Sequence, residues 1–470
     1  MRFYITTSVA YTNTSPHIGF ALEVVQADVL ARHHRILGKK TFFLTGTDEH
    51  GKKVAKAAEK AGKTPANFTN EITGQFKALA KALNLSNNNF IRTTDKKKHW
   101  PIVKKLWLGL NKKGDIYKKK YQGLYCVGCE AFITKKDLKE GKCIIHQKQP
   151  EFIEEENYFF RLSGYSKEIE KAIKGNEIKI IPESRRNEML AFLKRGLEDV
   201  SFSRPRKDLK WGIPVPGDDS QIIYCWADAL TNYLSGAPGF WPADVQCIGK
   251  DIQKFHCLIW PGMLLSLKLS LPKTIFVHGF ITFAGQKMSK SLGNIVDPFD
   301  LIEKYGTDAV RYFLLREIPP TEDGDFTYEK FKGRYNADLA SGLGNLIARV
   351  ITLFSKLKVK KKKISPDIEL KKQIDKTKTD YRRSLDGFKF NEALMAIWEL
   401  IGFCDRYIEK EKPWSFDPAR DGEKASRIMG NLLLALAEIA SLLKPFMPET
   451  SGAIVKQLEN KKSEPLFPRF

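Results

Sequence analysis

Arg2-Phe3-Tyr4-Ile5-Thr6-Thr7-Ser8-Val9-Ala10, with Ser15-Pro16-His17-Ile18-Gly19-Phe20 close behind it, decides how this chain folds. The first run is apolar and β-branched, as a buried strand requires. The second reads as a helix start. Ser15 offers a hydroxyl for the N-cap, Pro16 suits the first turn, and Ile18, Leu22, Val25 and Val29 recur at helical spacing. His17 and Gly19 then fall in the first turn, where unpaired amides and the helix dipole favour an anion, and Gly19 lets a flat or charged ligand approach the backbone. A second strand, Lys40-Thr41-Phe42-Phe43-Leu44-Thr45, runs into Gly46-Thr47-Asp48-Glu49-His50-Gly51. Strand, helix and strand predict a parallel α/β unit with its ligand loops at the carboxyl ends of the strands. Asp48 sits at that rim, either to hold an ammonium group or as an ordinary turn residue.

Far downstream, Gly285 precedes Lys287-Met288-Ser289-Lys290-Ser291 and Leu292-Gly293-Asn294 follows it. Two lysines flank a short hydroxyl-bearing loop. Lysine is a point charge on a flexible stem, suited to following a phosphate as its charge develops, although a solvated basic loop has the same composition. Between these stretches, Cys126, Cys129, Cys143 and His146 form a Cys-x₂-Cys and Cys-x₂-His arrangement. Three sulfurs and one nitrogen complete a closed tetrahedral set, which predicts one structural zinc with no open position for water. Cys225, Cys247, Cys257 and Cys404 have no such partners and read as packing residues.

The 470 residues are enough for about three domains, and 42% hydrophobic content is enough for real cores. The formal charge of +23 attracts polyanions, nucleic acid and acidic membrane surfaces alike, while a general bias toward lysine gives the same excess. No uninterrupted apolar stretch reaches membrane-spanning length, and the chain opens on a strand rather than on a basic and apolar leader. Seven cysteines, three of them in the metal set, argue against a disulfide framework. A cytoplasmic location is expected, without a membrane.

Downstream, residues 167–174 and 183–197 read as helices, residues 222–226 as a strand entering a helix, and residues 245–249 as a buried strand. Residues 274–281 read as the last strand and 298–315 as one helix, with an acidic turn at Asp323-Gly324-Asp325. From Tyr328 on, strand signal fades. Residues 331–353, 371–382, 390–410 and 425–443 have helical periodicity, which predicts an antiparallel bundle, with the lysine run 356–363 between its first two helices. The fold class is therefore α/β followed by an α-helical bundle. The expected layout is a first half of a parallel-sheet domain at 1–114, an insertion with the zinc knuckle at 115–206, the second half with the lysine loop at 207–327, and the helical domain at 328–470.

Pro16-His17-Ile18-Gly19 and Lys287-Met288-Ser289-Lys290-Ser291 together resemble the two signature sequences of class I aminoacyl-tRNA synthetases, in that family's order and separation. Phe20 departs from the pattern, which usually has a second histidine there. Thr6 to Tyr11, Gly46 to Gly51, Tyr224-Cys225-Trp226-Ala227-Asp228-Ala229, and Gly249-Lys250-Asp251-Ile252 with Phe255, His256, Trp260 and Pro261 narrow the resemblance to the methionyl-tRNA synthetases, of the bacterial type with a single zinc knuckle. The resemblance implies a Rossmann-like catalytic domain, and it implies methionine, ATP with Mg2+, and tRNA(Met) as partners. By the same resemblance, Asp48 holds the methionine ammonium, and Val9, Ala10, Tyr11, Trp226, Ala229, Tyr233, Ile252 and His256 line the side-chain pocket. His17, Gly19, Asp251, Lys287, Met288, Ser289 and Lys290 would contact ATP, with His17, Lys287 and Lys290 catalytic. In the helical domain, Asn345, Arg349 and Trp414 would read the anticodon, since loop bases are recognised by stacking and edge contacts.

Two alternatives stay open at this point. One is a class I synthetase for leucine, isoleucine, valine or cysteine, although the segment between Asp115 and Arg206 is short for an editing insertion and the zinc set is closed. The other is a non-catalytic tRNA-binding descendant, which Phe20 alone encourages. A monomer is expected.

Overall fold

A computed structural model describes residues 1–129, 131–133, 137–144, 147–288, 293–357, 366–417 and 420–469. The chain divides into two compact units. The first comprises residues 1–16, 34–81 and 85–278, and the second comprises 17–33, 82–84 and 279–470.

The first unit is built on a six-stranded parallel sheet in the order Asn89–Arg92, Lys40–Asp48, Arg2–Tyr11, Val245–Gly249, Thr274–His278, Lys179–Ile181. The opening strand is central, with Ile5 paired to Phe43 on one side and Val245 on the other. Central parallel strands are covered on both faces, so Phe3, Tyr4 and Ile5 are all buried. Between Thr6 and Val9 the register slips, after which Val9, Ala10 and Tyr11 pair with Gly46, Thr47 and Asp48. Such an irregularity re-aims side chains. Here it turns the end of the strand toward the Asp48 loop.

Between the sheet strands Asn89–Arg92 and Lys179–Ile181 runs a long antiparallel hairpin of Ile116–Cys126 and Glu151–Phe160, with the cysteine-bearing segment at its tip. Its base enters the core through Phe160, which joins Trp260, Ile169, Phe202 and Ile248 in one cluster. Arg204, some forty residues past the hairpin's second strand, is enclosed by the rings of Tyr125, Phe132 and Tyr224 at 5.0, 4.9 and 4.8 Å. That cation–π cage ties the hairpin to the segment that leads back into the sheet.

In the second unit, the helix Ile18–Ile36 contributes residues 18–33, and a bundle is formed by Tyr328–Arg334 continuing through Asn345–Lys356, then Ile368–Asp386, Phe390–Glu411, Gly422–Leu443 and Pro448–Asn460. Arg311 is fully buried, 2.8 Å from Asp28, and donates to the carbonyls of Leu83, Pro445 and Phe446. A buried guanidinium is tolerated when its charge is paired and each of its nitrogens is hydrogen-bonded, as here.

The structure differs from the sequence expectations in several places. The first helix starts at Ile18, so His17 and not Ser15 occupies the N-cap. The last sheet strand ends at His278. Ile281–Phe283 instead forms a small separate sheet with Gln286–Lys287 and Gly324–Phe326, so the acidic stretch at 323–325 is largely strand. Residues 298–315 form two helices, Pro298–Tyr305 and Thr307–Arg316, with Gly306 at φ 87° between them. The strand expected to reach Trp226 ends at Ile223, and Cys225 already begins a helix. Two bundle helices, Tyr328–Lys356 and Gly422–Leu443, do reach membrane-spanning length and hydropathy. Their apolar residues, including Leu346, Val350, Leu432, Leu436 and Ile439, are buried inside the unit, which accounts for that composition.

Candidate active site

The site in the first unit begins where the two central strands end. Tyr11 lies in register with Asp48, which is 2% exposed, and the Asp48 Oδ1 atom is 3.5 Å from the Thr93 hydroxyl. The next residue anchors the loop. Glu49 takes a bidentate ion pair from Arg92 at 2.6 and 2.8 Å and accepts from Thr47 and Thr73 at 2.8 Å each. A buried carboxylate so fully paired fixes the loop on either side of it.

Opposite stand the helix Cys225–Leu230 and the segment Ile252 to Trp260. Trp226 stacks on Phe255 with ring centroids 3.7 Å apart and planes 3° from parallel, and it meets Tyr11 and His256 edge-on at 6.0 and 6.2 Å. The Tyr233 hydroxyl is 2.6 Å from His256 Nε2, and His256 Nδ1 is 3.0 Å from the Ile252 carbonyl. Those partners assign the tautomer: Nδ1–H donates to Ile252 and Nε2 accepts from tyrosine. Tyr4 in turn donates to the Tyr233 carbonyl at 2.8 Å. Tyr11, Asp48, Trp226, Ala229, Tyr233, Ile252 and His256 thus belong to one unit, with Val9 and Ala10 half-buried at the strand end.

Phe255 carries no role in the sequence reading, yet it supplies the face on which Trp226 rests. Its turn, Phe255–Ile259, is a widened helical turn, so helical spacing alone does not reveal the contact. Asp251 follows the strand Val245–Gly249 and is exposed; a side chain at Gly249 would come within 2.8 Å of its Oδ1.

The knuckle lies in the same unit. Cys126, Cys129 and Cys143 place their sulfurs within 4.8 Å of one another, with Cys129 and Cys143 at 3.6 Å. Tetrahedral thiolates at Zn–S distances of about 2.3 Å lie about 3.8 Å apart, so the set fits zinc. His146 lies outside the described residues. Burial, reinforced by the neighbouring sulfurs, pushes the Cys129 thiol far up. A cation in place of the protons is the chemical complement of such a cluster. The Cys129 carbonyl is 3.4 Å from Trp226 Nε1, which links the knuckle to the aromatic wall.

The second unit holds the helix start and the lysine loop. His17 Nδ1 accepts from the Gly19 amide at 3.0 Å, which leaves Nε2–H as an outward donor on an exposed ring. A Cβ at position 19 would lie 2.9 Å from His17 Cε1, so glycine is what lets the ring fold back over the turn. The Ile18 amide is 3.4 Å from the carbonyl of Val296, shortly after the lysine loop. Lys287 is exposed and Met288 half-buried, and Ser289 and Lys290 lie outside the described residues. In the bundle, Asn345 is exposed, Arg349 pairs with Glu409 at 2.7 Å, and Trp414 is 44% exposed on a short turn after the helix Phe390–Glu411. Part of the lysine run, 358–363, is outside the described residues.

Comparison with known proteins matches residues 3–137 and 133–351 to the family described as tRNA synthetases class I (M), and residues 367–468 to the anticodon-binding domain of tRNA ligase. Methionine–tRNA ligase from Thermotoga maritima is 41% identical over 99% of this chain and 76% of its own length. The Brucella suis enzyme is 40% identical over 97% of the chain and 91% of its own. The crystal structure of Mycobacterium tuberculosis methionyl-tRNA synthetase bound by methionyl-adenylate superposes with a TM-score of 0.92 at 38% identity, covering 98% of this chain and 96% of that one. The chain therefore belongs to the class I tRNA synthetases, in the family of the methionine–tRNA ligases.

Proposed function

We propose that the aromatic site of the first unit binds methionine for activation by ATP and transfer to tRNA(Met). Asp48 takes the ammonium group. Trp226, Tyr233, Ile252 and His256, with Val9, Ala10, Tyr11 and Ala229, take the side chain, since a polarizable thioether favours aromatic edges. The methionine carboxylate attacks the α-phosphorus of ATP, the bond to the bridging oxygen breaks, and pyrophosphate leaves. No general base is needed, so the work is alignment and stabilisation of charge on the leaving group. His17 Nε2–H and the first-turn amides hold phosphate, Gly19 lies against adenine, and Lys287 and Lys290, with Met288 and Ser289, close over the β- and γ-phosphates. Asp251 contacts ribose or ammonium. Mg2+ accompanies the nucleotide, held by phosphates rather than by a protein cage.

In the second step the 2′-hydroxyl of the terminal adenosine attacks the activated carbonyl and AMP departs. Asn345, Arg349 and Trp414 read the anticodon. One structural zinc, held by Cys126, Cys129, Cys143 and His146, fixes the knuckle. The working layout is catalytic halves at 1–114 and 207–327, the knuckle insertion at 115–206 and the anticodon domain at 328–470. The protein works as a cytoplasmic monomer without a membrane.

The register of Tyr11 on Asp48, facing the stacked Trp226 in the same unit, is the observation that carries this reading. The test is amino-acid-dependent pyrophosphate exchange. Methionine supports exchange, leucine does not, and Lys290→Ala loses at least about a hundredfold. Equal background rates in parent and variant would leave only a tRNA-binding protein.

A further inference from the structure

Four buried side chains of the first unit make a polar chain to which the proposed reaction assigns no role. Asp228 lies with Oδ2 2.6 Å from His50 Nδ1 and Oδ1 2.7 Å from His99 Nε2, and His99 Nδ1 is 2.7 Å from the Ser235 hydroxyl. None of the four is more than 5% exposed. Burial by itself would raise the Asp228 carboxyl, but the two imidazoles outweigh it and hold the group below its usual range. An ionised carboxylate only accepts, so His50 Nδ1 and His99 Nε2 carry the hydrogens, and the Ser235 hydroxyl, which also lies 3.4 Å from the Asn232 carbonyl, closes the chain.

The chain matters for where its members are mounted. His50 lies two residues beyond Asp48, Asp228 lies on the turn of helix between Trp226 and Ala229, and Ser235 ends the short helix that carries Tyr233. Three walls of the proposed pocket therefore meet at one carboxylate. Packing leaves the His50 ring little freedom, with Trp211 at 5.4 Å and Trp100 at 6.0 Å. Apolar residues of the same volume could fill such a space; a fully matched polar network instead dictates one arrangement of the elements it joins.

We infer that the His50–Asp228–His99–Ser235 network is a positioning device that sets the width of the amino-acid pocket and so its discrimination against longer side chains. This rests on the reading of the pocket given above. A pocket rejects an extra methylene only as well as its walls resist spreading. Cutting the His50 bond frees the Asp48 loop from the Trp226 helix and lets the pocket widen.

The experiment measures pyrophosphate exchange with methionine and with ethionine, which is one methylene longer. In His50→Leu, KM for methionine rises about tenfold, KM for ATP stays within about twofold, and the methionine-to-ethionine ratio of kcat/KM falls about fivefold. His50→Asn keeps a donor near the Nδ1 position and restores the ratio to within about twofold of the parent. Should His50→Leu not fold cooperatively, Asp228→Asn replaces it, with the same fall in ratio expected. An unchanged ratio in a variant that unfolds at the parental temperature overturns the inference. Asp48→Asn, run in parallel, separates the two claims. If it leaves KM for methionine unchanged, the pocket reading itself fails; if it raises KM while the His50→Leu ratio holds, only the network's role fails.

Discussion

Tyr233 and His256 share a 2.6 Å hydrogen bond, and the far side of the imidazole is tied to the Ile252 carbonyl at 3.0 Å. Both polar hydrogens of the pair thus have acceptors within the wall itself. Aromatic faces and edges are then what the side chain of a bound amino acid meets. Tyr233→Phe leaves Nε2 buried without its donor, which costs about 1–3 kcal/mol. In steady-state exchange, KM for methionine should rise about tenfold while KM for ATP is unchanged, because the loss tilts the ring without touching the nucleotide.

Gly19 and His17 form a second dependent pair. Because a methyl group at position 19 would sit 2.9 Å from the imidazole, Gly19→Ala should push the ring off the Gly19 amide and misdirect Nε2–H. Exchange should fall by about 10²- to 10³-fold, the range for removing one oriented donor to developing charge. The melting temperature should hardly move, since the glycine lies at a helix start and its added carbon meets only that exposed side chain.

The knuckle touches the pocket at the 3.4 Å contact between the Cys129 carbonyl and Trp226 Nε1. Stripping the metal with a strong chelator should release about one zinc per chain, and KM for methionine should rise about fivefold as the Trp226 wall loses its support. Metal analysis paired with exchange kinetics checks both. Unaltered methionine affinity in fully metal-free protein would separate the knuckle from the pocket.

Asp308 makes stability depend on pH. Burial raises its carboxyl to about 6, against the lowering effects of the Thr450 amide and Arg311. A raised folded-state value means that the folded chain keeps a proton which the unfolded chain loses near pH 4. The contribution is fully present below about pH 4 and is lost as pH rises through about 6. Asp308→Asn removes this dependence. Urea titrations should show parent stability relative to the variant increasing by about 1.4 kcal/mol between pH 7.5 and pH 5.

Much of this architecture is legible in the sequence because it rests on periodicity. The buried opening strand, the strand at Val245, the paired cysteines and most of the bundle helices follow from apolar pattern and spacing alone. Details that depend on tertiary partners are not legible. Ser15 and His17 both offer a side-chain acceptor near the helix start, and only the bond to the Gly19 amide shows that His17 is the cap. The slip between Thr6 and Val9 brings Tyr11 into register with Asp48, and no glycine or proline in that stretch signals it. Phe255 reads as one more core aromatic until its face is seen on Trp226. Asp228 sits inside a matching stretch, yet nothing in its neighbours in sequence points to His99, more than a hundred residues earlier. The helix Pro448–Asn460 is amphipathic but short, and it draws definition from its contact with Gly422–Leu443.

The decisive measurement is a crystal of the protein soaked with methionine. The ammonium group should lie against the Asp48 carboxylate and the thioether among Trp226, Tyr233 and His256. Methionine bound elsewhere, with that aromatic wall empty, would contradict the proposed site.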